Sequence, residues 1–195
     1  NLVIPVGNGT LFLGAIFALE HLQESGVIDR FPQIIALQSQ NCDPLLRAAA
    51  QGAAEPAAVT PTPTIAEGIS IGKPMRGEEI LRLAKKHGVR FVHAPEDKIL
   101  EARAALARKG VYCEHTTAAN YAAYLEYRRL NGPTPDTLLT MCGAGPMALA
   151  LFCLRELRDG KPASEPAELV MHDTSARAAR DTTHVVGYAG VHIFA

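Results

Sequence analysis

Gly7-Asn8-Gly9-Thr10 stands between a short apolar run, Leu2 to Val6, and an apolar-periodic segment that begins at Leu11. The glycines let the backbone come close to a ligand, and the first N–H groups of a helix have no partner within it. Such amides, at the positive end of the helix dipole, form a ready anion site. Thr10 adds a hydroxyl. Three phosphate ligands come into question. A dinucleotide fingerprint, G-x-G-x-x-G, meets Phe12 where its third glycine belongs. The strand expected next, Gln33 to Leu37, ends in Gln38-Ser39-Gln40, without the acidic residue that this fingerprint wants. A P-loop fails because no lysine follows Gly14. A single phosphate monoester is the third. The alternative to all three is a turn that only lets strand and helix pack.

Other chemistry-bearing residues are sparse. Cys42, Cys113, Cys142 and Cys153 are widely spaced with no C-x-x-C pair, which argues against zinc and against a disulfide framework. Buried thiols in a reducing cytoplasm are the expectation. The seven histidines show no H-E-x-x-H spacing. His172-Asp173-Thr174-Ser175 holds the residue types of a hydrolytic triad, but no G-x-S-x-G elbow accompanies it. Lys85-Lys86 and Arg128-Arg129 are most simply solvated helix faces.

Short apolar runs alternate with amphipathic segments. Strands are predicted at Leu2–Val6, Gln33–Leu37, Val89–Val92 and Thr137–Met141. Helices are predicted at Leu11–Ser25, Pro44–Gln51, Glu78–His87, Glu96–Lys109, Thr117–Leu130 and Met147–Arg158. This alternation implies an α/β fold in three layers, a mostly parallel sheet with helices on both faces. Ligands of such sheets sit at the carboxyl ends of strands. Gly7–Thr10 lies at one such end and Cys142-Gly143-Ala144-Gly145 at another. Ala53 to Thr64, rich in Ala, Pro and Thr, is an irregular connection. Ala167–Met171 and Thr183–Val191 are strand-like.

With 195 residues, 48% of them hydrophobic, and a net charge of −1, the chain can bury a sizeable core. That balance argues against a nucleic-acid surface. No apolar run approaches the ~18 residues of a membrane span. The chain starts at Asn1 directly on a core-like strand, so residues that belong before it are expected to be missing.

Four segments, in order and in register over residues 1–147, resemble one family. Pro5-Val6-Gly7-Asn8-Gly9-Thr10-Leu11 resembles the G-G-G-G-L phosphate loop of type II (tryptophan synthase beta-like) pyridoxal phosphate enzymes. Thr64-Ile65-Ala66-Glu67-Gly68-Ile69 resembles the T-I-A-[ED]-G-I segment of threonine synthase-like enzymes and dehydratases. Val111 to Ala119 resembles their G-[IV]-x-x-E-P-x-[SG]-A-A segment, and Leu138 to Gly145 the strand and loop that end at the pyridine ring.

The resemblance implies the type II fold, pyridoxal 5'-phosphate as cofactor, and roles for particular residues. Gly7, Asn8, Gly9, Thr10 and Leu11 would hold the cofactor phosphate. Gly68 would let the backbone pass close to the ring, and Glu114 would be a carboxylate near the ring or at a cation site. Cys142 would face the pyridine nitrogen, with Thr140 as the alternative if the register slips. A neutral partner there leaves that nitrogen largely unprotonated, which suits elimination and replacement at Cβ or Cγ. Taken without the resemblance, Cys142 is a plain buried thiol, Glu114 supports a helix N-terminus, and Glu67 sits on a solvated turn.

The resemblance implies a lyase of threonine synthase type, converting O-phosphohomoserine to threonine and phosphate. A serine or threonine dehydratase is the runner-up. The family's Schiff-base lysine lies in an S-x-K segment before the phosphate loop. Lys73, Lys85, Lys86, Lys98, Lys109 and Lys161 lack that context. The chain is therefore expected to be a carboxyl-terminal half, with residues 1–147 as the cofactor-binding part and 148–195 as an extension of unassigned role. No catalytic residue of its own and no metal are expected. It would need an amino-terminal half or a partner chain to act on a small amino acid. The non-enzymatic alternative is a domain that binds phosphate or cofactor without turnover. A cytoplasmic homodimer, with no nucleic acid and no membrane, completes the expectation.

Overall fold

Four apolar strands find one another because each is buried on both faces and can satisfy its backbone only in a sheet. The structure, a computed structural model, describes residues 1–109, 113–134, 137–140, 167–174 and 187–193. These fall in two compact units, Asn1–Cys142 and Gly143–Ala195. In the first unit β1 (Leu2–Pro5), β2 (Ile34–Ser39), β3 (Arg90–Ala94) and β4 (Leu138–Leu139) form a parallel sheet in the order β3-β2-β1-β4. The register sets Leu2 beside Ile34 and Leu138, and Ile35 beside Arg90.

Helices α1 (Thr10–Glu24), α2 (Pro44–Gln51), α3 (Gly77–Lys86), α4 (Ile99–Arg108) and α5 (His115–Asn131) connect the strands. Alternation along the strands splits the core in two. Val3, Ile35 and Leu37 are buried with Ala94, Ile99, Ala118, Ala119, Ala123 and Tyr127, which places them under α4 and α5. Fully burying side chains of this kind contributes about 1.5–3 kcal/mol each. Leu2, Ile4, Ile34 and Ala36, also buried, point to the opposite face.

Predicted and observed elements differ at three places. β2 runs on through Gln38 and Ser39, both fully buried. A polar pair ends a strand in a sequence reading, yet Gln38 is satisfied inside. Its Nε2 donates to the Val6 carbonyl at 3.3 Å, and its Oε1 accepts from Leu45 N at 2.8 Å and Leu46 N at 3.1 Å, at the start of α2. The helix predicted over Glu96–Lys109 breaks into a 3₁₀ turn, Glu96–Lys98, and α4. β4 is two residues long, where five were predicted. The helix predicted at Met147–Arg158 lies outside the described residues. In the second unit β5 (Ala167–Thr174) and β6 (Gly187–Ile193) pair antiparallel.

Buried polar groups tie α5 to the sheet. Asn120 Nδ2 donates to the carbonyls of Val3 at 3.2 Å and Thr140 at 2.6 Å. The α1–α3 contact has an ionic fastening. Glu20 Oε1 accepts from Lys86 Nζ at 2.7 Å and lies 2.7 Å from His87 Nε2, whose ring stacks on Phe31 at 4.0 Å between centroids. The Lys86 hydrogen bond, then that of His87, holds the Glu20 carboxyl below its ordinary range.

A folded pKa below the unfolded one means this contact stabilises the chain above the ordinary carboxylate pKa and is lost as pH falls through the lowered value. Glu20→Gln is therefore expected to flatten the loss of stability between about pH 5 and pH 3 in urea titrations. An acid limb identical to the wild type would assign that sensitivity to other carboxylates.

Candidate functional site

β1 delivers the chain to the carboxyl edge of the sheet, where Val6 N still donates to the Leu37 carbonyl at 2.9 Å. The next residues turn at once into α1. Gly9 is the N-cap, at φ 89°, and no side chain caps the helix. The first turn carries no acidic residue. Free amide hydrogens and the dipole's positive end therefore remain available to an anion. Asn8 and Thr10 are exposed and Leu11 is half-buried, while Gly7 and Gly9 are buried.

The loop is held from behind. A Cβ on Gly9 would stand 2.2 Å from Ile80 Cδ1 and 2.9 Å from Ile80 Cγ1. Ile80, on α3, is itself fully buried. A Cβ on Gly7 would stand 3.0 Å from the Gly68 carbonyl oxygen and 3.2 Å from Ile69 Cα. The loop thus needs glycine at Gly9 for its left-handed backbone, and small size at both positions for its packing. This is more than a turn between strand and helix requires.

Gly68 is the shared wall between two parts of the site. It belongs to a 3₁₀ turn, Glu67–Ile69, and a Cβ on it would stand 2.8 Å from Thr116 Oγ1. Thr116 is buried, and its hydroxyl has no hydrogen-bond partner. Beyond Gly68 lies a cavity of about 350 Å³ lined by Ile65, Glu67, Gly68, Glu114 and His115. The segments around Gly68 and Glu114, far apart in sequence, are thereby brought together beside the glycine loop.

Glu114 has a defined structural task. It is the N-cap of α5, with Oε2 accepting from Thr116 N at 2.9 Å and Oε1 from Thr117 N at 2.7 Å. This satisfies two of the amides that a helix start leaves orphaned. Its carboxylate also pushes up the thiol pKa of Cys113, after burial, which is the larger cause. Thr140 donates its hydroxyl to the Val3 carbonyl at 3.0 Å, so this group is engaged with β1. Cys142 lies outside the described residues. Lys73, Lys85, Lys86, Lys98 and Lys109 are all exposed, with Lys86 paired to Glu20 and Lys98 to Glu101. Among the described residues, no helix is long and apolar enough to cross a membrane.

A larger cavity of about 830 Å³ runs along β3, lined among others by Leu46, Arg90, Phe91, His93 and Tyr127. It contains none of the expected site residues and lacks a glycine loop.

Comparison with known proteins agrees with this geometry. The family model described as "Pyridoxal-phosphate dependent enzyme" matches residues 1–143. Threonine synthase of Methanocaldococcus jannaschii is 26% identical over 123 residues, covering 63% of this chain and 30% of that protein. The chain thus spans about a third of the length of the curated relatives it matches. A bacterial threonine deaminase, from T.th., superposes with a TM-score of 0.55 at 22% identity, over 70% of this chain and 46% of that one. A fungal L-serine ammonia-lyase from Rhizomucor miehei gives 0.56 at 21% identity, over 70% and 42%. The two solved structures share the fold, an α/β architecture with a parallel sheet covered by helices.

Gly9→Ala is expected to lower stability by about 1–3 kcal/mol through its backbone alone, with the Ile80 clash added. Ile80→Val, which removes the clashing Cδ1, is expected to recover part of that loss in the double variant. Strict additivity of the two variants in urea unfolding would show that Ile80 does not back the loop.

Proposed function

The chain belongs to the pyridoxal-phosphate dependent enzyme family, and we propose that its Gly7–Leu11 loop holds the phosphate of pyridoxal 5'-phosphate in a threonine synthase-like lyase. The observation that carries this reading is the uncapped, acid-free start of α1 behind a loop where no side chain fits. Its donors are main-chain amides in a fixed array, the kind of set that suits a phosphate monoester. The residues present thus fit the cofactor's phosphate end. Residues 1–147 would make up the cofactor-binding part of the enzyme.

When bound, the cofactor supplies an electron sink for an amino-acid substrate, and the protein supplies binding, orientation and exclusion of water. The Gly7–Thr10 amides and the Thr10 hydroxyl would fix the phosphate and so the depth of the ring. Gly68 would keep the path beside the ring free of side chains. Glu114 would hold α5 by its cap while offering a carboxylate edge to the cavity it lines with Glu67. Cys142 would face the pyridine nitrogen. The threonine synthase relatives support O-phosphohomoserine as substrate and threonine with phosphate as products.

A second reading, binding without turnover by this chain alone, is favoured by the exposure of the five described lysines. A Schiff-base lysine is usually desolvated and held against the cofactor. One experiment bears on both readings. Pyridoxal phosphate is titrated into the purified chain, with and without inorganic phosphate, then reduced with borohydride for mass analysis. The expected result is saturable binding competed by phosphate, with no stoichiometric lysine adduct. Binding indifferent to phosphate would contradict the loop assignment, and a single stoichiometric adduct would make the chain a self-sufficient enzyme candidate.

A further inference from the structure

We infer that Glu96 is a positioning residue for the glycine loop, acting through Thr64 and the segment that carries Gly68. The premise is that Gly7 is backed by the Gly68 carbonyl, so the place of Gly68 decides the shape of the loop. No sheet pairing places Gly68. It follows an irregular stretch and sits in a three-residue turn. What fixes the stretch is a polar clamp at the carboxyl ends of β2 and β3.

The clamp has one consistent direction. Asn41 N donates to Ser39 Oγ at 3.1 Å, and Ala66 N donates to Thr64 Oγ1 at 3.1 Å. Ser39 Oγ in turn donates to Thr64 Oγ1 at 3.1 Å. Both acceptor positions of the Thr64 hydroxyl are then used, and its own proton goes to Glu96 Oε2 at 2.6 Å. Glu96 Oε1 accepts from Ile65 N at 2.7 Å. Both carboxylate oxygens are therefore acceptors, each serving a donor that has no other partner in the clamp. Charge-assisted hydrogen bonds of this length are the strong ones.

The polarity makes this position selective for a carboxylate. A glutamine at 96 would turn an amide NH₂ toward either the Ile65 N–H or the Thr64 hydroxyl, setting donor against donor. A valine at 64 would keep the shape of threonine and remove the hydroxyl on which three groups converge. Either change frees Thr64–Ile69 from the strand ends, and the wall behind Gly7 moves with it. That this would weaken phosphate binding rests on the function proposed above. That it would loosen the glycine loop does not.

The test uses the full chain and amide hydrogen exchange read by mass spectrometry. Peptides covering residues 6–12 and 64–70 are compared with one from α5 in wild type, Thr64→Val, Thr64→Ser and Glu96→Gln. Thr64→Val and Glu96→Gln are expected to speed exchange roughly tenfold in both loop peptides, as loss of one charge-assisted hydrogen bond implies, and to leave α5 unchanged. Thr64→Ser, which keeps the hydroxyl, is expected to match wild type. Exchange that changes only in residues 64–70, or a Thr64→Ser variant as loose as Thr64→Val, would overturn the proposal. If Glu96→Gln fails to fold, the Thr64 pair still decides. In a parallel titration, pyridoxal phosphate affinity should fall about tenfold in Thr64→Val and not in Thr64→Ser. A wild type that binds no pyridoxal phosphate would remove the cofactor reading and leave the exchange comparison to judge the clamp.

Discussion

A binding loop built from main-chain amides must keep side chains out of its concave side and must be pressed into shape from its convex side. At Gly9 both requirements meet. Its backbone lies at φ 89°, and Ile80 occupies the space a side chain would take. The position costs little for glycine and strains any other residue. Much of the first unit can be understood as what holds this arrangement: β1 delivers the loop, α3 backs it with Ile80, and Gly68 closes it behind Gly7.

The sheet supplies the rigidity. β1 is flanked by β2 and β4, so the strand that carries the loop is fixed on both sides. Polar groups buried at the strand ends extend that fixation to the helices. Gln38 joins the end of β1 to the start of α2, and Asn120 joins β1 and the end of β4 to α5. Burying such amides is tolerable only when they are hydrogen-bonded. Asn120 keeps one unpartnered atom, Oδ1, and Thr116 Oγ1 is the other such atom among the described residues. The Thr116 hydroxyl abuts Gly68, which makes that wall polar where it is most tightly packed.

How much of this the sequence discloses depends on how local the cause is. β1, α1 and α2 are legible from apolar period and from glycine and proline punctuation, because those signals act within a few residues. The glycine loop is legible for the same reason, and so is the alternative task of Glu114, since a carboxylate two or three residues before orphan amides is a local motif. Gln38 and Ser39 misled as strand-enders because their partners, Val6, Leu45 and Thr64, come from other elements. Glu96 was legible only as the start of a helix. Its actual work, on Thr64 and Ile65, spans the width of two strands. The contact of Ile80 with Gly9 likewise has no sequence signature, since only the packing of α3 against α1 creates it. The role expected of Cys142 falls outside the described residues.

The central claim is that main-chain amides at the start of α1 form a phosphate site. The most direct measurement is the amide spectrum of isotopically labelled chain during titration with inorganic phosphate. The account predicts saturable shifts concentrated on Gly7, Asn8, Gly9, Thr10 and Leu11, with the Gly68 amide following them. Shifts confined to lysine- and arginine-bearing surfaces, with the loop amides still, would contradict it.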